Sequence, residues 1–164
     1  MKYEGMVHAL EEIQRLLRPD GCLIDIHPVL EAPLVEVYQG SRVLFVEPYP
    51  GYDYEEDLRQ AEDALAQIVQ RGPFVVERNG EFDLLTYGSS VAELRDFWAK
   101  AGAYDDSPKD EAVEGREAEL YARVEEIMQA AGPGAEVALH ERARIARLNP
   151  TVSPSARLME GSHA

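Results

Sequence analysis

The stretch LEEIQRLLRPDGCLIDIHP, from Leu10 to Pro28, joins a short helix to an apolar strand. The helix is predicted by apolar residues that recur three or four positions apart, namely Met6, Ala9, Leu10, Ile13, Leu16 and Leu17. Pro19-Asp20-Gly21 ends the helix. Residues 22–26, CLIDI, are almost all apolar, which is typical of parallel-sheet strands covered on both faces.

Two β-hairpins are predicted from turn residues between apolar runs. PLVEVY and RVLFVE flank Gln39-Gly40-Ser41, and FVVER and EFDLLTY flank Asn79-Gly80. Asn-Gly is the dipeptide most typical of a two-residue hairpin turn. Near the C-terminus, residues 135–149 (AEVALHERARIARLN) alternate between apolar and polar, which predicts a long antiparallel strand.

Three more helices are predicted over residues 53–71, 90–101 and 117–131. The second of them begins with Ser90 and Glu93 at capping-box spacing. This mixture of helices, hairpins and a buried strand predicts an α/β fold. We expect one domain over residues 1–149 and a flexible tail over residues 150–164, which is rich in proline and serine.

The composition limits the classes of function. The chain has 164 residues and a net charge of −15, so nucleic acid and membrane surfaces are not expected partners. Its one cysteine, Cys22, lies in the apolar strand and is expected to be a core residue. The charged N-terminus does not resemble a signal peptide, and a cytoplasmic location is predicted.

The segment ALEEIQRLLRPDGCLIDIHP resembles class I S-adenosylmethionine-dependent methyltransferases. In that family a helix ends in an Arg-x-Leu-Lys-Pro-Gly-Gly turn and an apolar strand follows. Here the turn reads RLLRPDG, with Arg18 in place of lysine and Asp20 in place of glycine. SSVAELRDFWAKAG and AGPGAEVALHERARIARL are similar to the family's last helix and closing strand, so the resemblance spans residues 6–149. It implies a partial Rossmann-like methyltransferase sheet that begins near the family's fifth strand.

The resemblance also implies that this chain lacks the family's cofactor half. The family holds its cofactor with a glycine-rich loop after the first strand and an acidic residue after the second. The only Gly-x-Gly, Gly132-Pro133-Gly134, follows a helix and precedes a strand, which is the wrong context. We therefore expect no cofactor and no S-adenosylmethionine site in this chain.

Three functions stay open at this point, and enzymatic activity is undecided. The first is that the chain is a non-catalytic module that forms a dimer, binds a partner or binds a small molecule. Alternatively, it is the acceptor-substrate half of an active methyltransferase that another chain or an N-terminal segment completes. A third possibility is an unrelated α/β interaction domain with a superficial likeness.

The resemblance leaves the strand at residues 22–27 without one neighbour. An apolar strand with an open edge associates with other strands in water. We expect a second copy of the chain to cover this edge as a homodimer. A separate N-terminal half, or the hairpin at residues 34–46, would also cover it.

The candidate site residues are polar or aromatic and lie at or after the end of this strand. Asp25, His27 and Glu31 are candidates for substrate contacts or a general base, whereas in the structural alternative His27 bonds locally. Tyr49 and Tyr52 lie in a predicted loop and would line an acceptor pocket, or else belong to the core. No residue is assigned as catalytic. The histidine spacings match no ligand motif, so no metal site is expected.

Overall fold

The structure is a computed structural model that describes residues 3–18, 20–51, 54–101 and 110–151. The elements in these ranges are α1 (Tyr3–Leu16), β1 (Leu23–Pro28), β2 (Leu34–Gln39), β3 (Arg42–Pro48), α2 (Glu55–Arg71), β4 (Phe74–Gly88), α3 (Val91–Ala101), α4 (Glu111–Ala131) and β5 (Ala135–Pro150). The predicted α/β class is confirmed. In these ranges no helix is both long enough and apolar enough to span a membrane.

The strands form one open sheet with the hydrogen-bonded order β1-β5-β2-β3, and β4 also pairs with β5. β1 runs antiparallel to β5, and β2 runs antiparallel to β5 and β3. The prediction that residues 22–26 form a strand of a parallel sheet, covered on both faces, is therefore wrong. Asp25 and His27 are half-buried, whereas Ile24 and Ile26 on the other face are exposed. Isoleucine at the exposed positions conceals this alternation in the sequence.

The chain forms two compact units, and β4 and β5 each contribute residues to both. The first unit comprises the described residues of Met1–Leu30, Tyr54–Phe82 and Ala143–Ala164, and the second those of Glu31–Asp53 and Asp83–Arg142. The single domain over residues 1–149 stays a prediction. Within the predicted tail, Pro150 ends β5 and the amide of Thr151 donates to the carbonyl of Pro73 at 2.9 Å. Residues 152–164 lie outside the described ranges.

The core of the first unit is formed by α1, α2 and parts of β4 and β5. Its buried residues are Val7, Ala64, Ile68, Phe74, Ala146 and Leu148. Ala64 and Ile68 are four residues apart and share one face of α2. Gly72 ends this helix in the left-handed conformation, with φ of 91°, directly after the helix predicted over residues 53–71.

The core of the second unit lies between the two helices α3 and α4 and the strands β2 and β5. Its buried residues are Val35, Val37, Val91, Leu94, Leu120, Tyr121, Val124, Val137 and Leu139. Val35 and Val37 lie opposite Leu139 and Val137 on the neighbouring strand. The predicted cap of α3 is confirmed, because the hydroxyl oxygen of Ser90 accepts from the backbone N–H of Glu93 at 3.1 Å.

The first predicted hairpin is confirmed and the second is wrong. β2 and β3 are joined at Gly40, whose φ is 59°. Asn79-Gly80 lies instead inside β4, one continuous strand, and neither residue has the positive φ of a two-residue hairpin turn. Ion pairs join β4 to β5, which are Glu77–Arg147 (3.0 Å), Glu81–Arg144 (3.6 Å) and Asp83–His140 (3.2 Å). Pairing along a 16-residue partner strand thus outweighs the local turn preference.

Candidate functional site

Asp25 and His27 lie two residues apart on β1 and therefore on the same face of the strand. Asp25 Oδ2 is 2.7 Å from His27 Nδ1, which is a short hydrogen bond. In the register with β5, Asp25 lies opposite Ala146, a residue of the buried core of the first unit. The side chain of His27 is 12% exposed. The pair is thus held at the edge of this core.

Glu62 of α2 and Arg144 of β5 approach the same histidine. Glu62 Oε1 is 3.7 Å from His27 Nε2 and 3.2 Å from Arg144 Nη1. We call Asp25, His27, Glu62 and Arg144 the β1 cluster. Within the described part of the chain, His27 Nε2 is buried and has no hydrogen-bond partner, because the Glu62 oxygen lies beyond hydrogen-bond distance.

The electrostatics of the β1 cluster favour a charged histidine. The hydrogen bond that His27 donates to Asp25 raises the pKa of His27 above its ordinary value of 6.5, and the charges of Asp25 and Glu62 act in the same direction. Burial opposes this effect. A general base needs a free nitrogen that faces its substrate, and here Nε2 faces a carboxylate. A histidine that already holds its proton cannot take one from a substrate, so this arrangement does not favour His27 as a general base.

The other predicted site residues do not join this cluster. Glu31 is exposed and belongs to the second unit. Tyr49 also belongs to the second unit, where it packs against the core and donates its hydroxyl hydrogen to Glu117. Burial, with this hydrogen bond, raises the pKa of Tyr49 above its ordinary value of 10.0. Tyr52 lies outside the described residues.

Glu62 and Arg144 are the cluster residues that the sequence analysis missed. Glu62 follows Leu58 by four positions, so a carboxylate lies beside the apolar stripe of α2. This spacing is the one feature of the sequence that indicates Glu62 as a contact of His27. Arg144 lies in the alternating pattern of β5 and carries no signal that it contacts Glu62.

The second unit also contains an open groove of about 530 Å³. It is lined by Ser89, Ser90, Val91, Ala92, Glu125, Met128, Gln129 and Gly132–Ala135. The start of α3 faces this groove, but the carboxylate of Glu93 already accepts hydrogen bonds from the backbone N–H and hydroxyl of Ser89, both at 2.7 Å. This contact lowers the pKa of Glu93 and places a negative charge where an anionic ligand would bind.

No family model, curated protein or solved structure matches this chain. Among the described residues, no group of three or more histidine, cysteine, aspartate or glutamate side chains is placed to hold a metal ion. The structure by itself defines an α/β protein with an open antiparallel sheet.

Proposed function

We propose that this chain is a binding module that forms a homodimer through the open edge of β1. In this proposal it is related to methyltransferases, has no S-adenosylmethionine site of its own and is non-catalytic alone. One observation carries the proposal: among the described strands, β1 pairs with β5 only. Its exposed face carries Ile24 and Ile26, which are 48% and 59% exposed.

An open edge of this kind favours association. Its backbone N–H and C=O groups offer a template for another strand, and the proteins that avoid such pairing place charges or bulges there. Ile145 of β5 lies opposite Ile26 and is also exposed, so the apolar surface continues onto the next strand. Burying these side chains would add a hydrophobic contribution to the backbone pairing.

The charges on β1 favour one register for two paired copies. A two-fold axis perpendicular to the sheet pairs residues that share a face. Centring this axis on Asp25 would place it opposite itself, and like charges directly opposite destabilise a sheet. Centring the axis on Ile26 places Asp25 opposite the partner's His27 and Ile26 opposite itself. We propose this second register.

The mass of the protein in solution tests the dimer. By light scattering we expect the mass of two chains for the wild type and of one chain for Ile26→Lys, because lysine on an edge strand blocks pairing. Val46→Lys is the matched control, since Val46 is 51% exposed on β3, another strand with one described neighbour. A monomeric wild type, or a dimeric Ile26→Lys, would contradict the proposal.

Disulfide trapping tests the register. In a Cys22→Ser background, Ile26→Cys should form a disulfide between copies under mild oxidation. Residues directly opposite in an antiparallel pair have Cα atoms about 4.5–5.5 Å apart, within disulfide range. Ile24→Cys is the control and should link much less, because it lies opposite Pro28 in this register. Equal linking of both variants would argue against the register.

The relation to methyltransferases is supported by the resemblance at residues 10–28 and rests on sequence alone. The absence of a glycine-rich loop after a strand in the sequence supports a chain without its own cofactor site. We expect no heat of binding when the protein is titrated with S-adenosylmethionine or S-adenosylhomocysteine. Saturable binding of either would overturn this part of the proposal.

A second candidate is the acceptor half of a methyltransferase completed by another chain. The open edge of β1 favours it as well, because another chain could supply the neighbouring strand there. In this case a strand of the other chain takes the edge of β1. The purified protein would then be monomeric, so the mass measurement separates the two candidates.

A further inference from the structure

His140 lies on β5 in the second unit, between carboxylates from two neighbouring strands. Its Nδ1 is 3.0 Å from Glu36 Oε1 on β2, and its Nε2 is 3.2 Å from Asp83 Oδ1 on β4. Ionised carboxylates only accept hydrogen bonds, so both ring nitrogens must donate. An imidazole donates from both nitrogens only as the imidazolium cation. When it is protonated, His140 can therefore join three adjacent strands through both of its ring nitrogens.

The two carboxylates differ sharply in exposure. Glu36 is the buried charged residue among those the structure describes, with 6% of its surface exposed, whereas the side chain of Asp83 is 63% exposed. The second oxygen of Glu36 accepts a hydrogen bond from the hydroxyl of Tyr38, and this bond raises the pKa of Tyr38 to about 12. A buried carboxylate is costly without its donors, whereas Asp83 is readily solvated by water.

The β4 segment in the second unit has few other side-chain anchors near this point. Asp83 and Leu84 are exposed, and Tyr87 packs its ring 5.7 Å from the ring of Tyr38. The hydrogen bond to His140 thus holds a segment of β4 in which Asp83, Leu84 and Tyr87 are exposed and Leu85 is half-buried. Strand segments of this kind open more readily than buried ones.

We propose that His140 is a proton-operated clasp that fastens the segment of β4 from Asp83 onward to β5 when protonated and releases it when neutral. A neutral ring donates one hydrogen bond only. It keeps the bond to buried Glu36, since an unsatisfied buried carboxylate costs more than a solvated one. The contact that is lost is therefore the one to Asp83.

The charged groups that face His140 determine whether the clasp opens at high or at low pH. β2 presents Glu36 to His140, with Tyr38 hydrogen-bonded to Glu36, and β4 presents Asp83 with Tyr87 beyond it. The hydrogen bond that His140 donates to Glu36, then the one it donates to Asp83, raises the pKa of His140 above its ordinary value of 6.5, and burial opposes this. The clasp is thus closed below pH 6.5 and opens as the pH rises through the raised pKa.

Amide hydrogen exchange tests the clasp. The amides of β4 that follow Asp83 and bond to β5 should lose protection roughly tenfold between about pH 6 and 9, after correction for intrinsic exchange rates. A tenfold loss is what one charge-assisted hydrogen bond is expected to contribute. The amides of the β2–β3 hairpin serve as the internal control and should not change. Equal protection of β4 at both pH values would overturn the proposal.

Two variants separate the clasp from a general loss of structure. Asp83→Asn changes an exposed side chain and should make the protection of β4 nearly independent of pH, while His140 still titrates. The ring ¹⁵N signals should show both nitrogens of wild-type His140 protonated at low pH and one at high pH. A pH-dependent release of β4 that persists unchanged in Asp83→Asn, or in His140→Gln, would contradict the clasp.

Discussion

Leu120→Ala tests the core of the second unit. Leu120 lies on α4, is 1% exposed and packs with the buried valines of β2 and β5. Leucine and alanine are both good helix formers, so the substitution leaves the helix intact and changes mainly the packing. The matched control is Leu16→Ala in α1, where the same side chain is 70% exposed.

The expected loss follows from the groups that are removed. Three carbon atoms leave the core, which corresponds to roughly 2.4 kcal/mol at ~0.8 kcal/mol for each buried methylene. The cavity that remains raises the total to about 3–4 kcal/mol. The control should lose less than ~0.5 kcal/mol, because its side chain is already mostly in water. With a slope of about 2 kcal/mol per molar, the urea midpoint of Leu120→Ala should fall by roughly 1.5–2 M.

Trp98 gives this experiment a local probe. It is the one tryptophan of the chain, and it packs against the core that contains Leu120. Its fluorescence during urea unfolding therefore reports on the second unit. A loss below ~1 kcal/mol, or equal losses in Leu120→Ala and Leu16→Ala, would show that Leu120 is not packed as described.

Three further predictions concern a cap, a turn and a proton. Asp110→Ala removes the oxygen that accepts from the amide of Ala112 at 2.9 Å and should destabilise the protein by about 1 kcal/mol in urea unfolding, whereas Asp110→Ser should retain most of that stability. Gly72→Ala should cost about 1 kcal/mol by the same measurement, because alanine is strained at the φ of 91° that this position adopts. The new methyl group would meet no other atom, so the cost comes from the backbone conformation, and a stabilised variant would contradict this. Asp25 raises the pKa of His27, so the stability that protonated His27 contributes is full below pH 6.5 and is lost as the pH rises through the raised pKa. The difference in unfolding free energy between wild type and His27→Gln should therefore shrink over that range. A difference that grows would contradict this prediction.

The elements that the sequence predicted correctly carry their own local signals. Gly40 and Gly72 adopt the left-handed backbone that ends a strand or a helix, and Ser90 caps α3. Asn79-Gly80 carries an equally strong local signal, yet it lies inside β4. The difference is the partner, because β5 offers hydrogen bonds and charges along its length to β4. A local pattern cannot report such a distant partner.

The alternation of β5 illustrates the same limit on one strand. It predicts an apolar side made of Val137, Leu139, Ala143 and Ile145. The first three of these are buried and Ile145 is exposed, whereas the even-numbered Ala138, Ala146 and Leu148 are buried as well. Residues of both parities are therefore buried along this strand. Periodicity reveals a strand, but it does not reveal which face a helix will cover.

The candidate site was predictable only within β1. Asp25 and His27 are two residues apart on a strand, so their proximity follows from the sequence. Glu62 approaches His27 only because α2 packs on that face, which depends on tertiary structure. The same holds for His140, whose partners Glu36 and Asp83 come from two other strands.

The cross-strand ion pairs of β5 have a consequence for ionic strength. The chain carries a net charge of −15, yet Arg144 and Arg147 each lie within 4 Å of carboxylates of β4. At about 0.1 M salt the screening length is ~10 Å, longer than these contacts but shorter than the distances across the protein surface. Salt therefore weakens the mutual repulsion of the surplus carboxylates more than it weakens the pairs. The protein should consequently become more resistant to unfolding as sodium chloride is added from low concentration.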